Sequence, residues 1–176
     1  LEKLSESKNL PIEMHKDIFN NKQKITLDKI RNLKPITHIV DLFKELKNRG
    51  VKIGVCTNSI RITTYNALHS SQLMPYIDII KTNEDVRNSK PSPDMYWAAM
   101  MDLNLTPRDC VIVEDSPTGI EAAVLSGCNY ISVKSPLDVN INNIIPKLKT
   151  AKLKQYWNDE KMNILIPMAG EGSRFA

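Results

Sequence analysis

Residues 111–123 read Val-Ile-Val-Glu-Asp-Ser-Pro-Thr-Gly-Ile-Glu-Ala-Ala, and they decide the fold class of this chain. The three β-branched apolar residues predict a buried strand, and Ser116 followed by Pro117 predicts a helix that begins directly after it. Glu114 and Asp115 therefore lie at the carboxyl end of a strand, where open α/β sheets bind ligands. Two adjacent carboxylates repel each other unless a cation joins them, and Mg²⁺ is the natural candidate. The alternative is that both acids only complement the dipole of the helix.

The alternation of strand and helix continues on both sides of this stretch. Apolar runs predict strands at residues 51–56, 76–82, 110–113, 130–133 and 163–167. Helices are predicted at residues 36–47, 60–71, 93–104 and 119–126, with one or two amphipathic helices in residues 1–33 and a weakly patterned segment at 138–159. Alternating strands and helices form parallel sheets with crossover connections. We therefore predict the α/β class, with a Rossmann-like parallel sheet and flanking helices.

Composition excludes several classes of function. The chain has 176 residues, of which 41% are hydrophobic and 25% charged, so a folded core is expected. Its net charge is +4, but no aromatic residues interleave with the lysine clusters, so we expect no nucleic-acid partner. No apolar run has membrane-spanning length, so no membrane partner is expected either. Cys56, Cys110 and Cys128 show no Cys-x-x-Cys spacing and predict a reducing, cytoplasmic compartment.

Polar residues also follow other predicted strands. Thr57-Asn58-Ser59 comes directly after the strand at 51–56, where hydroxyls, backbone N–H groups and the positive end of the next helix could hold a phosphate. The alternative is an ordinary helix cap formed by Asn58 or Ser59. Lys90 precedes Pro91, which favours an extended backbone, but taken by itself it is a typical solvated surface lysine.

These three groups, in this order, resemble the haloacid dehalogenase superfamily of phosphotransferases, and in particular its β-phosphoglucomutase-like branch. The patterns of that branch are Thr-Asn-Ser, Lys-Pro-x-Pro-Asp-x-Tyr and Glu-Asp-Ser-x-x-Gly-Ile-x-Ala-Ala. This chain has Thr57-Asn58-Ser59, then Lys-Pro-Ser-Pro-Asp-Met-Tyr from Lys90 to Tyr96, then Glu114-Asp115-Ser116 with Gly119-Ile120 and Ala122-Ala123. The resemblance covers residues 33–133. It implies that residues 35–150 form an enzyme core and that residues 1–34 are the C-terminal remnant of a helical cap.

The resemblance also implies a role for each residue. Thr57 and the N–H of Asn58 would hold the transferring phosphoryl oxygens, and Lys90 would neutralise their charge and join them to the nucleophile. Asp115, with Glu114, would bind Mg²⁺, directly or through water, and Thr57, Lys90 and Asp115 are the expected catalytic residues. The implied function is a Mg²⁺-dependent phosphatase or phosphomutase acting on a small phosphorylated sugar. A non-catalytic phosphate-binding or scaffolding relic is the alternative, and a dehalogenase is disfavoured because the acid pair would serve it no purpose.

The nucleophile of this family is absent from the sequence. In the family it is an aspartate in an Asp-x-Asp pattern on a first strand, which lies between the strands equivalent to 51–56 and 110–113. No Asp-x-Asp occurs in the 176 residues. We therefore expect an inactive fragment of a longer protein, with two inner strand edges unpaired unless those strands close up or a partner supplies a strand.

Residues 162–175 read Met-Asn-Ile-Leu-Ile-Pro-Met-Ala-Gly-Glu-Gly-Ser-Arg-Phe. They resemble the opening strand and glycine loop of a sugar-phosphate nucleotidyltransferase. The resemblance implies that Gly170, Gly172, Ser173 and Arg174 bind a nucleoside triphosphate in the full-length protein. Residues 162–176 would then begin a truncated second domain, joined by a linker at 151–161, and an irregular tail is the alternative.

Overall fold

A parallel sheet of five strands forms the centre of the protein. The computed structural model describes residues 11–153 and 163–166. The strands are β1 (Lys52–Cys56), β2 (Ile79–Lys81), β3 (Cys110–Glu114), β4 (Asn129–Ser132) and β5 (Asn163–Ile166). They pair in the order β2-β1-β5-β3-β4, and every pairing is parallel. The predicted α/β class with a parallel sheet is confirmed.

Within the described residues, six α-helices connect and flank these strands. They are α1 (His15–Arg31), α2 (Thr37–Asn48), α3 (Arg61–Ser70), α4 (Asp94–Leu103), α5 (Pro117–Ser126) and α6 (Ile141–Leu153). Short 3₁₀ turns lie at Ile12–Met14, Met74–Tyr76, Pro107–Asp109 and Pro136–Asp138. No α-helix in the described part of the chain is both long and apolar enough to cross a membrane.

Most predicted elements are present, and the differences lie at their ends. β2 has three residues instead of the predicted seven at 76–82, because a proline-containing 3₁₀ turn at Met74–Tyr76 occupies the start of that segment. α5 begins at Pro117, where the pair Ser116-Pro117 predicts its start and two residues before the helical range 119–126. Ser116 is its N-cap, as predicted, and its Oγ accepts a hydrogen bond from the N–H of Gly119 at 3.1 Å.

The centre of the sheet corrects a prediction. β5 pairs with β1 on one side and with β3 on the other, so that Ile164 lies opposite Ile53 and Val111. The inner edges of β1 and β3, which we expected to be unpaired, therefore have a partner from the same chain. This is the position that the family resemblance assigns to the missing first strand. The side chain of Ile164 is apolar and fully buried there, and this burial stabilises β5 in the centre of the sheet.

The same observation concerns the second domain that we predicted to begin at residue 162, a division that stays a prediction because residues 154–162 and 167–176 lie outside the described residues. Residues 163–166 form part of the core sheet, whereas the prediction placed them at the start of a separate domain. The sequence pattern correctly predicts a strand, but an apolar run of four residues carries no information about which strands it pairs with.

Helices cover both faces of the sheet, and each face has its own apolar cluster. The first cluster contains residues of α2 and α6 with Ile53, Val111 and Ile164. The second joins α4 and α5 and includes Tyr96, Ile112 and all three cysteines: Cys56, Cys110 and Cys128. α1, within the predicted cap remnant, packs against α3. The two clusters hold the strands rigidly, so the loops at their carboxyl ends have fixed anchor points.

Candidate active site at the carboxyl edge of the sheet

Three loops that are far apart in the sequence meet at the carboxyl edge of the sheet. Asn58 follows β1, and its side-chain amide forms two hydrogen bonds with the main chain of Lys90. The Lys90 N–H donates to Asn58 Oδ1 at 3.0 Å, and Asn58 Nδ2 donates to the Lys90 carbonyl at 3.2 Å. Lys90 Nζ in turn donates to Oε1 of Glu114, the last residue of β3, at 2.6 Å. The structure thus joins all three predicted loops through direct contacts.

Lys90 and Glu114 form a buried ion pair. Their side chains are 5% and 1% exposed, respectively. Lys90 Nζ also donates to the carbonyl of Cys56 at 3.0 Å and lies 4.9 Å from the centre of the Tyr96 ring. Removing two charges from water costs several kcal/mol for each ion, so a buried pair persists only where further hydrogen bonds satisfy both members. Lys90 is therefore a built part of the site, and the solvated-lysine alternative does not describe it.

Glu114 uses both of its carboxylate oxygens. Oε1 accepts from Lys90 and, at 2.8 Å, from the hydroxyl of Tyr96. Oε2 accepts from the N–H of Asp115 at 3.0 Å and from the N–H and Oγ of Ser116 at 3.3 and 3.2 Å. A carboxylate offers about four lone-pair positions, and these donors occupy them. Direct ligation of Mg²⁺ by Glu114 therefore requires that it give up at least one of these partners, whereas a role through water does not.

Tyr96 contacts both Glu114 and Lys90, and the sequence analysis did not single it out. It lies in the first turn of α4 and is fully buried. Burial, together with the nearby charge of Glu114, raises the pKa of the Tyr96 hydroxyl, so the hydroxyl stays protonated and donates to the carboxylate. The available signal was its place at the end of the Lys-Pro-x-Pro-Asp-x-Tyr pattern, six residues after Lys90.

Gly119 makes room for the carboxylate of Glu114. A Cβ atom on this residue would lie closer than 3.0 Å to three atoms of the Glu114 carboxyl group, a separation that real Cβ atoms essentially never show. Gly119 is in the first turn of α5 and buried, and its φ angle gives no reason for a glycine. The glycine in the Glu-Asp-Ser-x-x-Gly pattern is therefore required by the side chain five residues before it.

The loop after β1 differs in part from the prediction. Thr57 is fully buried, and its Oγ1 accepts from the N–H of Ser59 at 3.1 Å. Neither Asn58 nor Ser59 caps α3 with its side chain, so the helix-cap alternative is wrong.

The carboxylate of Glu84 accepts from the N–H of Arg61, the first residue of α3, at 2.5 Å. This internal anion occupies the positive end of α3, which we had expected to assist a phosphate.

The loop that leads from β2 toward Lys90 is held by an acidic residue. Asp85 accepts hydrogen bonds from the N–H and Oγ1 of Thr82, at 2.8 and 2.6 Å, and pairs with Arg61 at 2.6 Å. Although partial burial opposes the shift, these hydrogen bonds lower the pKa of Asp85 below its ordinary value. The carboxylate therefore stays ionised and ties the loop to the start of α3.

Asp115 is the remaining predicted metal ligand. It is half-buried and directly follows Glu114 at the sheet edge. The described part of the chain contains no group of three or more His, Cys, Asp or Glu side chains that could hold a metal ion. Mg²⁺, however, commonly keeps several waters and binds through one or two carboxylates plus the phosphate of a substrate. A single carboxylate such as that of Asp115 would suit a magnesium ion of that kind, and the described residues do not form an all-protein cage.

No aspartate or glutamate directly follows the central strand in the sequence. Ile166, the last residue of β5, pairs with Val55, so β5 ends at the same edge as β1. The next residues in the sequence are Pro167, Met168 and Ala169. The Asp-x-Asp pattern that the family resemblance requires at this place is therefore missing from β5 as well. The four predicted nucleotide-binding residues lie outside the described residues, and they are Gly170, Gly172, Ser173 and Arg174.

Comparison with known proteins identifies the family. Residues 1–133 match the haloacid dehalogenase-like hydrolases. The chain belongs to this family. Hexitol phosphatase A of Escherichia coli K12 is 28% identical over 120 residues, which are 68% of this chain and 55% of that protein. The chain spans about half the length of the curated relatives it matches. The family match ends at residue 133, so residues 162–176 lie outside it.

Solved structures of haloacid dehalogenase-like proteins resemble the chain in fold. CbbY of Rhodobacter sphaeroides, determined with xylulose-1,5-bisphosphate, is 30% identical, with a TM-score of 0.52 over 56% of this chain and 44% of CbbY. The β-phosphoglucomutase of Clostridium difficile has a TM-score of 0.63 over 81% of this chain and 66% of that protein. At 23% identity, the latter shows a shared fold only.

Proposed function

We propose that this chain carries the phosphoryl-recognition part of a Mg²⁺-dependent phosphatase or phosphomutase that acts on a small phosphorylated sugar. The observation that carries the proposal is the buried ammonium of Lys90, held at the carboxyl edge of the sheet by Glu114 and the Cys56 carbonyl. An ammonium has three N–H donors, and these two acceptors use two of them. Within the described part of the chain the third N–H has no acceptor, and we propose that it donates to a phosphoryl oxygen.

The neighbouring groups complement this role of Lys90. Thr57 Oγ1 accepts from Ser59 and keeps its own proton to donate to a phosphoryl oxygen. The N–H of Asn58 belongs to the same turn, and the Asn58 side chain fixes the main chain of Lys90. Phosphoryl transfer depends mainly on positioning and on charge stabilisation, which are what these groups provide.

Asp115 is the residue that we propose to hold Mg²⁺, together with waters and oxygens of the substrate. When bound, the ion would offset the negative charge of the phosphoryl group. Glu114 supports Asp115 by accepting its backbone N–H, which fixes the main chain from which the carboxylate extends.

The sugar-phosphate substrate is proposed from the relatives. One is named hexitol phosphatase A, and CbbY was solved with a sugar bisphosphate. Because no Asp-x-Asp occurs in the 176 residues, we propose that the chain binds such ligands without forming an aspartyl-phosphate. In a complete enzyme, the nucleophile would come from outside these residues.

Calorimetry and a phosphate-release assay test this proposal together. Hexitol, hexose and pentose phosphates are titrated into the chain with and without Mg²⁺, and released phosphate is measured. We expect binding of at least one ligand, tightened by Mg²⁺, and no release. Lys90→Met should weaken binding about tenfold or more, the order for a hydrogen bond to a charged group. Lys47→Met is the matched control, because Lys47 pairs with Asp78, which precedes β2 at the opposite edge of the sheet; equal weakening in both variants would contradict the proposal.

The non-catalytic alternative has one observation in its favour. β5 occupies the centre of the sheet, and Pro167, Met168 and Ala169 follow it, so no nucleophile is present where the family resemblance places one. The coding DNA upstream of Leu1 separates the two functions. An apolar strand followed by Asp-x-Asp there supports the enzyme, and a start codon directly before Leu1 supports a phosphate-binding or scaffolding relic.

We also propose that the full-length protein uses a nucleoside triphosphate through Gly170, Gly172, Ser173 and Arg174. The support is the sequence of residues 162–175, in which an apolar strand leads into the pattern Ala-Gly-x-Gly-Ser-Arg. A full-length protein should consume a nucleoside triphosphate in the presence of a sugar 1-phosphate and release pyrophosphate. If no combination of triphosphate and sugar phosphate is consumed, this part of the proposal fails.

A further inference from the structure

One side chain contacts both members of the buried ion pair. The hydroxyl of Tyr96 donates to Glu114 Oε1 at 2.8 Å, and the ring of the same residue lies 4.9 Å from Lys90 Nζ. Tyr96 is fully buried on α4, and its ring is also part of the apolar cluster beneath the sheet. A residue needed only for packing would require the ring but not the hydroxyl.

The hydroxyl affects how strongly Glu114 holds Lys90. The Tyr96 hydroxyl donates to Oε1, the same oxygen that accepts from Lys90 Nζ, and so fixes the position of that oxygen beside the ammonium. Oε2 meanwhile is fixed by the main chain of Asp115 and by Ser116. Glu114 is therefore held from several sides at once, and Lys90 has an immobile acceptor.

An immobile acceptor determines the direction of the remaining N–H group. Lys90 Nζ has two acceptors among the described residues, the Cys56 carbonyl and Glu114 Oε1. With two of its three donors directed to fixed atoms and a ring face beside it, the ammonium has little freedom to rotate. The third donor then keeps one orientation, which favours binding of a ligand oxygen at a fixed place.

We infer that Tyr96 is a positioning residue, which holds Lys90 in place through the Glu114 carboxylate and thereby sets its affinity for a phosphoryl group. The second half of this statement rests on the proposed function. The first half concerns the protein alone, so it can be tested without any ligand.

The test is the reactivity of Lys90 toward N-hydroxysuccinimidyl acetate, measured by mass spectrometry on the folded full chain. Acetylation requires the amine to leave Glu114, so the rate reports how firmly the pair is held. Tyr96→Phe keeps the ring and removes the hydroxyl. We expect the ratio of Lys90 to Lys81 acetylation to rise about tenfold, the order for one hydrogen bond to a charged group. Tyr65→Phe, at an exposed tyrosine on α3, should leave the ratio unchanged.

The ratio separates positioning from general loss of structure, because partial unfolding would expose Lys81 as well. If Tyr96→Phe does not fold, Tyr96→Met retains an apolar side chain and should raise the ratio further, since the ring is lost too. An unchanged ratio in a folded variant overturns the inference.

Titrations of inorganic phosphate into the same variants test the second half of the inference, that Tyr96 sets the affinity of Lys90 for a phosphoryl group. Affinity in Tyr96→Phe should fall in parallel with the rise in acetylation. A wild-type chain that binds no phosphate would refute the proposed function while leaving the acetylation result to decide the role of Tyr96. Phosphate bound equally well by both chains, despite a higher acetylation ratio, would show that Tyr96 positions Lys90 without affecting ligand binding, and would overturn the second half.

Discussion

Gly119→Ala is the substitution whose effect follows most directly from the geometry. The added Cβ would overlap the carboxyl group of Glu114, so this group must move and cannot keep all of its hydrogen bonds. Disrupting a buried ion pair by disturbing one partner costs about 3–5 kcal/mol. Alanine is favoured over glycine inside a helix by about 1 kcal/mol, which offsets part of this loss. We therefore expect the free energy of unfolding to fall by about 2–4 kcal/mol, a large part of the 5–15 kcal/mol typical of a domain.

Urea unfolding followed by circular dichroism measures this change. The same substitution in a Lys90→Met/Glu114→Ala background is the matched control, because the carboxyl group that collides with the Cβ is then absent. In that background Gly119→Ala should be neutral or stabilise the protein by up to about 1 kcal/mol. If Gly119→Ala changes the unfolding free energy of the wild-type chain by less than about 0.5 kcal/mol, the reasoning about Glu114 is refuted.

Three further predictions concern single groups. Ser116→Ala removes the N-cap of α5 and one donor to Glu114, so thermal unfolding should show a loss of about 1–2 kcal/mol. Backbone N–H groups of residues 134 and 135 lower the pKa of Asp138; its stabilising effect is therefore complete above about pH 4 and disappears as the pH falls through the folded-state pKa. The difference in melting temperature between wild type and Asp138→Asn should accordingly shrink from pH 6 to pH 3, and a constant difference would contradict this. Burial raises the pKa of Cys56 to about 12, so iodoacetamide at pH 8 should label it only in urea, and rapid labelling of the native chain would disprove its burial.

Much of the fold was predictable from local sequence patterns. The β-branched run at 111–113 and the pair Ser116-Pro117 predicted β3 and α5 because strand propensity, capping and the fixed φ angle of proline act over a few residues. The meeting of the loops that carry Asn58, Lys90 and Glu114 followed from a general rule, since parallel strands all end at one edge of a sheet.

Features that depend on contacts between distant residues could not be predicted in this way. The place of β5 between β1 and β3 depends on pairings more than fifty residues apart in the sequence, and the pattern Asn-Ile-Leu-Ile specifies only a strand. One of the hydrogen bonds that occupy the carboxylate oxygens of Glu114 comes from Tyr96. The carboxylate that accepts from the first N–H of α3 belongs to Glu84. In both cases a polar group is satisfied by a partner that only the folded chain brings near.

Amide chemical shifts measured by NMR during a titration with inorganic phosphate test the central claim, that the three loops form one phosphoryl-binding site. The account predicts that the backbone amides of Asn58, Lys90 and Asp115 shift together, with one dissociation constant, while Lys52 at the opposite edge of the sheet does not respond. Shifts that leave Lys90 unaffected, or that give these loops different dissociation constants, would contradict it.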